Sequence, residues 1–172
     1  MPPNLILNKI GLDMEAKVTT NGIGIKKTTT VELIFHGFYQ EKQIQNIKEV
    51  DGIYVAHAGT INVKDGKEFF YPDRVIYIGK GTGTDNVHVR VSKHKNNDHA
   101  IWKLHLNEGE HILYSYADCP VDIVHDVEAA MIYRNKPEEN DVSKDSYTGE
   151  IHLLNVISTG ETGELKKHIT VL

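Results

Sequence analysis

The fold turns on two short stretches, Gly52-Ile53-Tyr54-Val55-Ala56 and Arg74-Val75-Ile76-Tyr77-Ile78-Gly79. Each is rich in β-branched and aromatic residues and has a glycine at one end, so each reads as a strand. Between them, Asp65-Gly66 is a hairpin-type turn signal, although the runs beside it alternate only weakly. Residues 81–86 then read as a loop in which Thr84 or Asp85 is available as a helix N-cap. The run Val87-His88-Val89-Arg90-Val91 alternates like a strand. The cap signal before it and the polar residues after it favour a helix, which is the reading adopted here.

Further along, residues 109–117 read as a strand with aromatic tips. Pro120 opens the clearest helix, with Ile123, Val124, Val127, Ala130 and Met131 at helical spacing and Lys136-Pro137 as the stop. Residues 138–149 are a charged loop, and Ile151–Ile157 with Leu165–Leu172 predict a terminal hairpin around Gly160-Glu161-Thr162-Gly163. Upstream, Gly22-Ile23-Gly24 marks a turn and Thr28–Phe35 a strand. Gln40–Glu49, with Ile44 and Ile47 three apart, suits a short amphipathic helix. No repeat or low-complexity tract interrupts this order.

A chain of 172 residues with 40% hydrophobic and 25% charged content fits one globular domain with a real core. The net charge of -5 excludes a polybasic, histone-like protein but not a local basic face. Cys119 is the only cysteine, so no internal disulfide or cysteine-built zinc site staples the fold. That usage, with no apolar run of membrane-spanning length and no secretory pattern at Met1–Leu7, points to a cytoplasmic protein without a membrane partner. Charge is uneven. Residues 74–103 carry Arg74, Lys80, Arg90, Lys93, Lys95 and Lys103 against Asp85 and Asp98, whereas residues 107–150 are strongly acidic. The central segment is where a phosphate-bearing ligand would bind, unless it is simply a solvated face.

Several familiar chemistries fail on spacing. Gly79-Lys80-Gly81-Thr82-Gly83 is not a P-loop, because Gly81 follows the lysine where Ser or Thr is required. His88, His94, His99 and His105 do not share one helix face, and no H-E-x-x-H is present. No G-x-S-x-G supports a serine nucleophile, and Cys119 beside Pro120 reads as a small buried hydrophobe.

One ordered set remains. Gly52-Ile53-Tyr54 is followed by Tyr77-Ile78-Gly79, then by Arg90 and His94 four apart, Glu128 on the strong helix, and Pro137-Glu138-Glu139-Asn140. A spacing of four puts Arg90 and His94 on one side of either a helix or a strand. Over roughly residues 50 to 157 the set resembles the GIY-YIG nuclease family, and in spacing it is most similar to the small restriction-type endonucleases. The gap between the two tripeptides is longer than in the minimal family core.

The resemblance implies an α/β fold of the α+β sandwich type, a small central antiparallel sheet flanked by helices. Residues 1–49 would be an N-terminal extension, 50–157 the nuclease core and 158–172 a C-terminal hairpin strand. It implies endonucleolytic hydrolysis of DNA with Mg²⁺, replaceable by Mn²⁺, held at Glu128. Tyr54 would be the base, Tyr77 its orienting partner, Arg90 the fork on phosphate oxygens and His94 a proton relay. Lys80, Lys93 and Asn140 would be substrate contacts, Asn140 also serving as packing or hydrogen-bonding support. A free phenol of pKa about 10 is only about 0.1% ionised at pH 7, a deficit of about 4 kcal/mol that cationic neighbours must offset. A symmetric double-strand break further implies a homodimer on DNA. A repair or mobile-element nuclease and a non-cleaving nucleic-acid-binding module are the rival expectations.

Overall fold

The computed structural model describes residues 17–23, 26–96 and 102–172. In chain order these form β1 (Lys17–Ile23), β2 (Lys26–Gln40), β3 (Gly52–Lys64), β4 (Lys67–Gly81), α1 (Val87–Asn96), β5 (Glu110–Asp118), α2 (Val124–Asn135), β6 (Leu154–Gly160) and β7 (His168–Val171). Short 3-10 turns lie at Glu41–Asn46 and Lys103–His105. His99, Gly24 and Met1–Leu7 fall outside the described residues.

β3 and β4 are two sides of one hairpin. Asp65 and Gly66, at φ 52° and 72°, supply the two left-handed residues that a tight two-residue hairpin turn requires. The ladder then runs from Lys64↔Lys67 back to Gly52↔Gly81, so both strands are far longer than the runs that announced them. β5 pairs antiparallel with the other edge of β3, giving the order β4-β3-β5-β2-β6-β7, with β1 paired to β2.

The chain is thus mixed α/β, but its sheet is neither small nor wholly antiparallel. Among the described residues it has seven strands, and β2 and β6 run parallel. Parallel neighbours need a long crossover, and residues 41–153 provide one. β2 pairs with β6 through Thr29–Phe35 and with β5 through His36–Gln40, so residues 26–40 share one sheet with the strands that follow. β6 and β7 form the expected terminal antiparallel pair. Gln40–Glu49 is shorter and tighter than the expected α-helix. Gln40 and Gln43 cap a 3-10 turn that ends at extended Ile47, while Ile44 and Ile47 are still buried.

Burial on β3 alternates between two cores. Ile53 and Val55 join Val124, Val127, Ala130 and Met131 of α2. Tyr54 and Ala56 join Val87 and Val91 of α1. Successive strand side chains point to opposite faces, so the two helices flank opposite faces of the sheet. The segment that alternates like a strand is α1, because Val87 and Val91 are also one helical turn apart and both fully buried. Its cap is Asn86, whose Oδ1 accepts the Val89 N–H, rather than the expected Thr84 or Asp85. α2 ends at Lys136 in the left-handed conformation, before Pro137.

Candidate active site

Tyr54 stands opposite Gly79 in the β3–β4 register. A Cβ built on Gly79 would lie 2.4 Å from the Tyr54 hydroxyl and 2.8 Å from the Tyr77 ring. The glycine is needed for space, since the two phenols occupy what its side chain would fill. A register shift between the pairs Ala56↔Tyr77 and His57↔Val75 leaves Ile76 as the extra residue of a bulge. Bulges re-aim neighbouring side chains. Ile76 and Tyr77 both pack in the α1-side core, and Tyr77 lies stacked 6.1 Å from Tyr54, centroid to centroid.

α1 delivers Arg90 and His94 to the same place, one turn apart on its inner side. The Tyr54 hydroxyl is 2.5 Å from His94 Nε2. Burial, and secondarily Tyr77, raises the Tyr54 pKa well above the ordinary phenol value, while the Arg90 guanidinium beside the hydroxyl pulls it back down. Tyr54 is therefore held as a phenol, and it donates to Nε2 in the His94 tautomer that carries its proton on Nδ1. Arg90 Nε is buried and has no hydrogen-bond acceptor among the described residues. Its Nη1 reaches Asp85 at a loose 3.5 Å. Tyr54, His94 and Trp102 are buried, whereas the Arg90 side chain remains 38% exposed.

Glu128 enters from α2, the helix on the other sheet face. Its Oε2 pairs with Lys80 of β4, whose Nζ also lies 3.2 Å from His125 Nδ1. Glu128 nonetheless lies close enough to Tyr54 for its charge to raise the phenol pKa. Strand β4 is an outer strand of the sheet path, so Lys80 and Glu128 meet at the rim next to the tyrosines. Among the described residues no three His, Cys, Asp or Glu side chains converge. A protein-built metal cage is therefore not what these residues offer. A Mg²⁺ ion that keeps its waters and shares substrate oxygens needs as little as one hard carboxylate, and the Glu128 carboxylate is here paired with Lys80.

Asn140 has its amide turned into the fold, in the supporting position rather than an exposed one. It is buried, its Oδ1 accepts the Ile78 N–H and its Nδ2 donates to the Ile78 carbonyl, each at 2.9 Å. It mimics a further strand on the open edge of β4 and fixes the backbone between Tyr77 and Gly79. Lys93 is exposed and pairs with Asp85 at 2.5 Å.

The basic segment is largely neutralised from within. Arg74 pairs with Glu110 and Glu138, Lys80 with Glu128, Arg90 and Lys93 with Asp85, and Lys95 and Lys103 with Glu41. His88 bonds the Ile47 carbonyl and His105 bonds Glu139, away from His94. Cys119 is buried, and burial pushes its thiol up to about 12, which suits an inert packing residue.

Trp102 belongs to the site and carries no motif that announces it. Its ring stacks 5.2 Å from Tyr77 and lies 4.9 Å from His94, closing the cluster from outside. Being the only tryptophan was its one available signal. No family model, curated protein or solved structure matches this chain.

Proposed function

We propose that this chain is a divalent-metal-dependent endonuclease that hydrolyses DNA phosphodiesters, built on a GIY-YIG-like core. The observation that carries the reading is the Tyr54–His94 hydrogen bond beside Arg90, whose buried Nε lacks an acceptor. An unpaired buried guanidinium donor favours an anionic ligand, and a phosphate oxygen suits its planar fork.

Tyr54 is too strongly held as a phenol to serve as a free phenolate. It works instead as a relay, taking a proton from the attacking water at its hydroxyl oxygen while passing its own to His94 Nε2, and the departing 3′-oxygen takes a proton from solvent water. Arg90 holds the non-bridging oxygens, and Tyr77 and Trp102 keep the relay aligned. Asn140 fixes the β4 backbone beneath them. Glu128 would hold Mg²⁺, or Mn²⁺ in its place, which would supply charge stabilisation at the phosphoryl group. Lys80, paired with Glu128, and the exposed Lys93 would be phosphate contacts.

The preferred biological role is restriction, by a cytoplasmic enzyme that acts as a homodimer on DNA. A second reading, a non-cleaving nucleic-acid-binding scaffold, is favoured by the full burial of Tyr54. Incubation of the pure protein with supercoiled plasmid and Mg²⁺ separates them. Discrete fragments support restriction, a smear supports a repair or mobile-element nuclease, and an intact plasmid refutes the endonuclease.

A further inference from the structure

The β3–β4 hairpin continues beyond the sheet. β5 pairs with β3 without a break from Gly52 to Thr60 and stops there, whereas β3 and β4 stay paired to the tip at Lys64↔Lys67. The outer part is a two-stranded ribbon, anchored by one face only. On that face Phe70 packs 4.9 Å from Phe38, and Glu68 accepts from Gln40 Nε2 at 2.7 Å and pairs with Lys42.

The opposite face can be assigned from the register. Because β3 is unbroken, Thr60, Asn62 and Lys64 point to the same side as Tyr54. Their cross-strand partners are Tyr71, Phe69 and Lys67. The six ribbon side chains on this face are therefore two lysines, two aromatics, an amide and a hydroxyl; the carboxylate nearest them, Glu110 opposite Thr60 on β5, is taken up by Arg74. Glu68 belongs to the anchored face, Asp65 to the turn, and Asp73 to the second register shift. Phe69 is 44% and Tyr71 55% exposed, large values for aromatic residues on a strand. Unlike the basic residues of the central segment, Lys64 and Lys67 have no carboxylate partner among the described residues.

We infer that this ribbon face is a second DNA-contact surface, which grips the duplex flanking the phosphate bound at Arg90. The inference rests on the endonuclease reading. Lysines meet phosphates, and exposed aromatics and amides meet sugars and base edges in a groove that a two-stranded ribbon can enter. At about 3.3 Å per strand residue, Thr60, Asn62 and Lys64 lie roughly 20, 26 and 33 Å along β3 from Tyr54. The same span of B-form duplex is about six to ten base pairs at about 3.4 Å each. A second copy of the chain is a poorer occupant, because six side chains fall well short of the roughly 20–30 residues per side of a stable interface.

The test is fluorescence anisotropy with a labelled duplex of about 30 base pairs, without metal, on the full chain. The variants are Lys64→Glu/Lys67→Glu and Phe69→Ala/Tyr71→Ala, with folding checked by thermal melts. The expected result is binding weakened at least about tenfold by each pair, with the salt slope of the lysine variant lowered by about 2. The lysines are at the exposed tip, so that variant remains informative if the aromatic one fails to fold. Binding within about twofold of wild type, with an unchanged slope, overturns the ribbon surface. If Tyr54→Phe still abolishes cleavage in that case, the endonuclease reading stands. A wild-type protein that neither binds nor cuts DNA overturns both. Variants that convert a dimer to monomer in sedimentation while binding DNA normally assign the face to a second copy and overturn the inference.

Discussion

The phenol of Tyr54 lies across Gly79, its register partner on the neighbouring strand, in the space that any larger residue would claim. The last glycine of Tyr77-Ile78-Gly79 therefore serves the first tripeptide's tyrosine rather than a turn. Gly79→Ala should displace Tyr54 from His94. Overpacking of this kind costs about 1–3 kcal/mol. Urea unfolding should show that loss, and a variant as stable as wild type would mean that the ring moves freely.

Asn140→Ala should destabilise the chain by about 2–4 kcal/mol, because it strips partners from both the N–H and the carbonyl of buried Ile78. Since the amide is taken up by β4, the salt slope of DNA binding should stay unchanged. A lowered slope with normal stability would return Asn140 to the role of a substrate contact.

His57 gives the fold a pH signature. It is fully buried, bonds Ser115 through Nε2 at 2.8 Å, packs edge-on against Phe38, and is pushed down to about 3 by desolvation. Unfolded, it titrates near 6.5. Above that pH both states are neutral and no pH dependence arises. Below it the unfolded chain takes up the proton first, so stability falls as pH drops from about 6.5 toward 3. The slope is at most about 1.4 kcal/mol per pH unit. Denaturant unfolding between pH 7 and 5, above most carboxylate titration, should show this slope in wild type and a flatter one in His57→Gln.

Glu128→Ala should cut at least about a hundredfold more slowly yet bind duplex without metal as tightly as wild type, or more tightly. It removes a negative charge and frees Lys80 for phosphate. Gel-shift affinity beside a cleavage time course checks both halves. Retained cleavage would reduce Glu128 to a helix residue paired with Lys80.

What could be read from the chain follows the range of the interactions. The β3–β4 turn, α2 and the glycine-bounded tyrosines are local patterns, and each is written within a few residues. The parallel pairing of β2 with β6 joins residues more than a hundred positions apart, and no periodicity encodes it. The same holds for the charges. Lys95 and Lys103 look like a free basic face until Glu41 is brought beside them. Asn140 and Trp102 mark two further limits. The motif named Asn140 as a hydrogen-bonding support but not its partner, the backbone of Ile78, and a lone tryptophan does not announce which rings it covers.

The central claim is that the Tyr54–His94–Arg90 cluster cleaves phosphodiesters, and Tyr54→Phe tests it most directly. The substitution removes one hydroxyl and almost no volume, so the fold should persist with only the His94 hydrogen bond lost. The measurement is the cleavage rate of a labelled duplex in Mg²⁺, across pH 7 to 9, for wild type and Tyr54→Phe at matched DNA affinity. The account predicts a folded variant that binds DNA and cuts at least about a hundredfold more slowly. A variant that cuts within about threefold of wild type would contradict it.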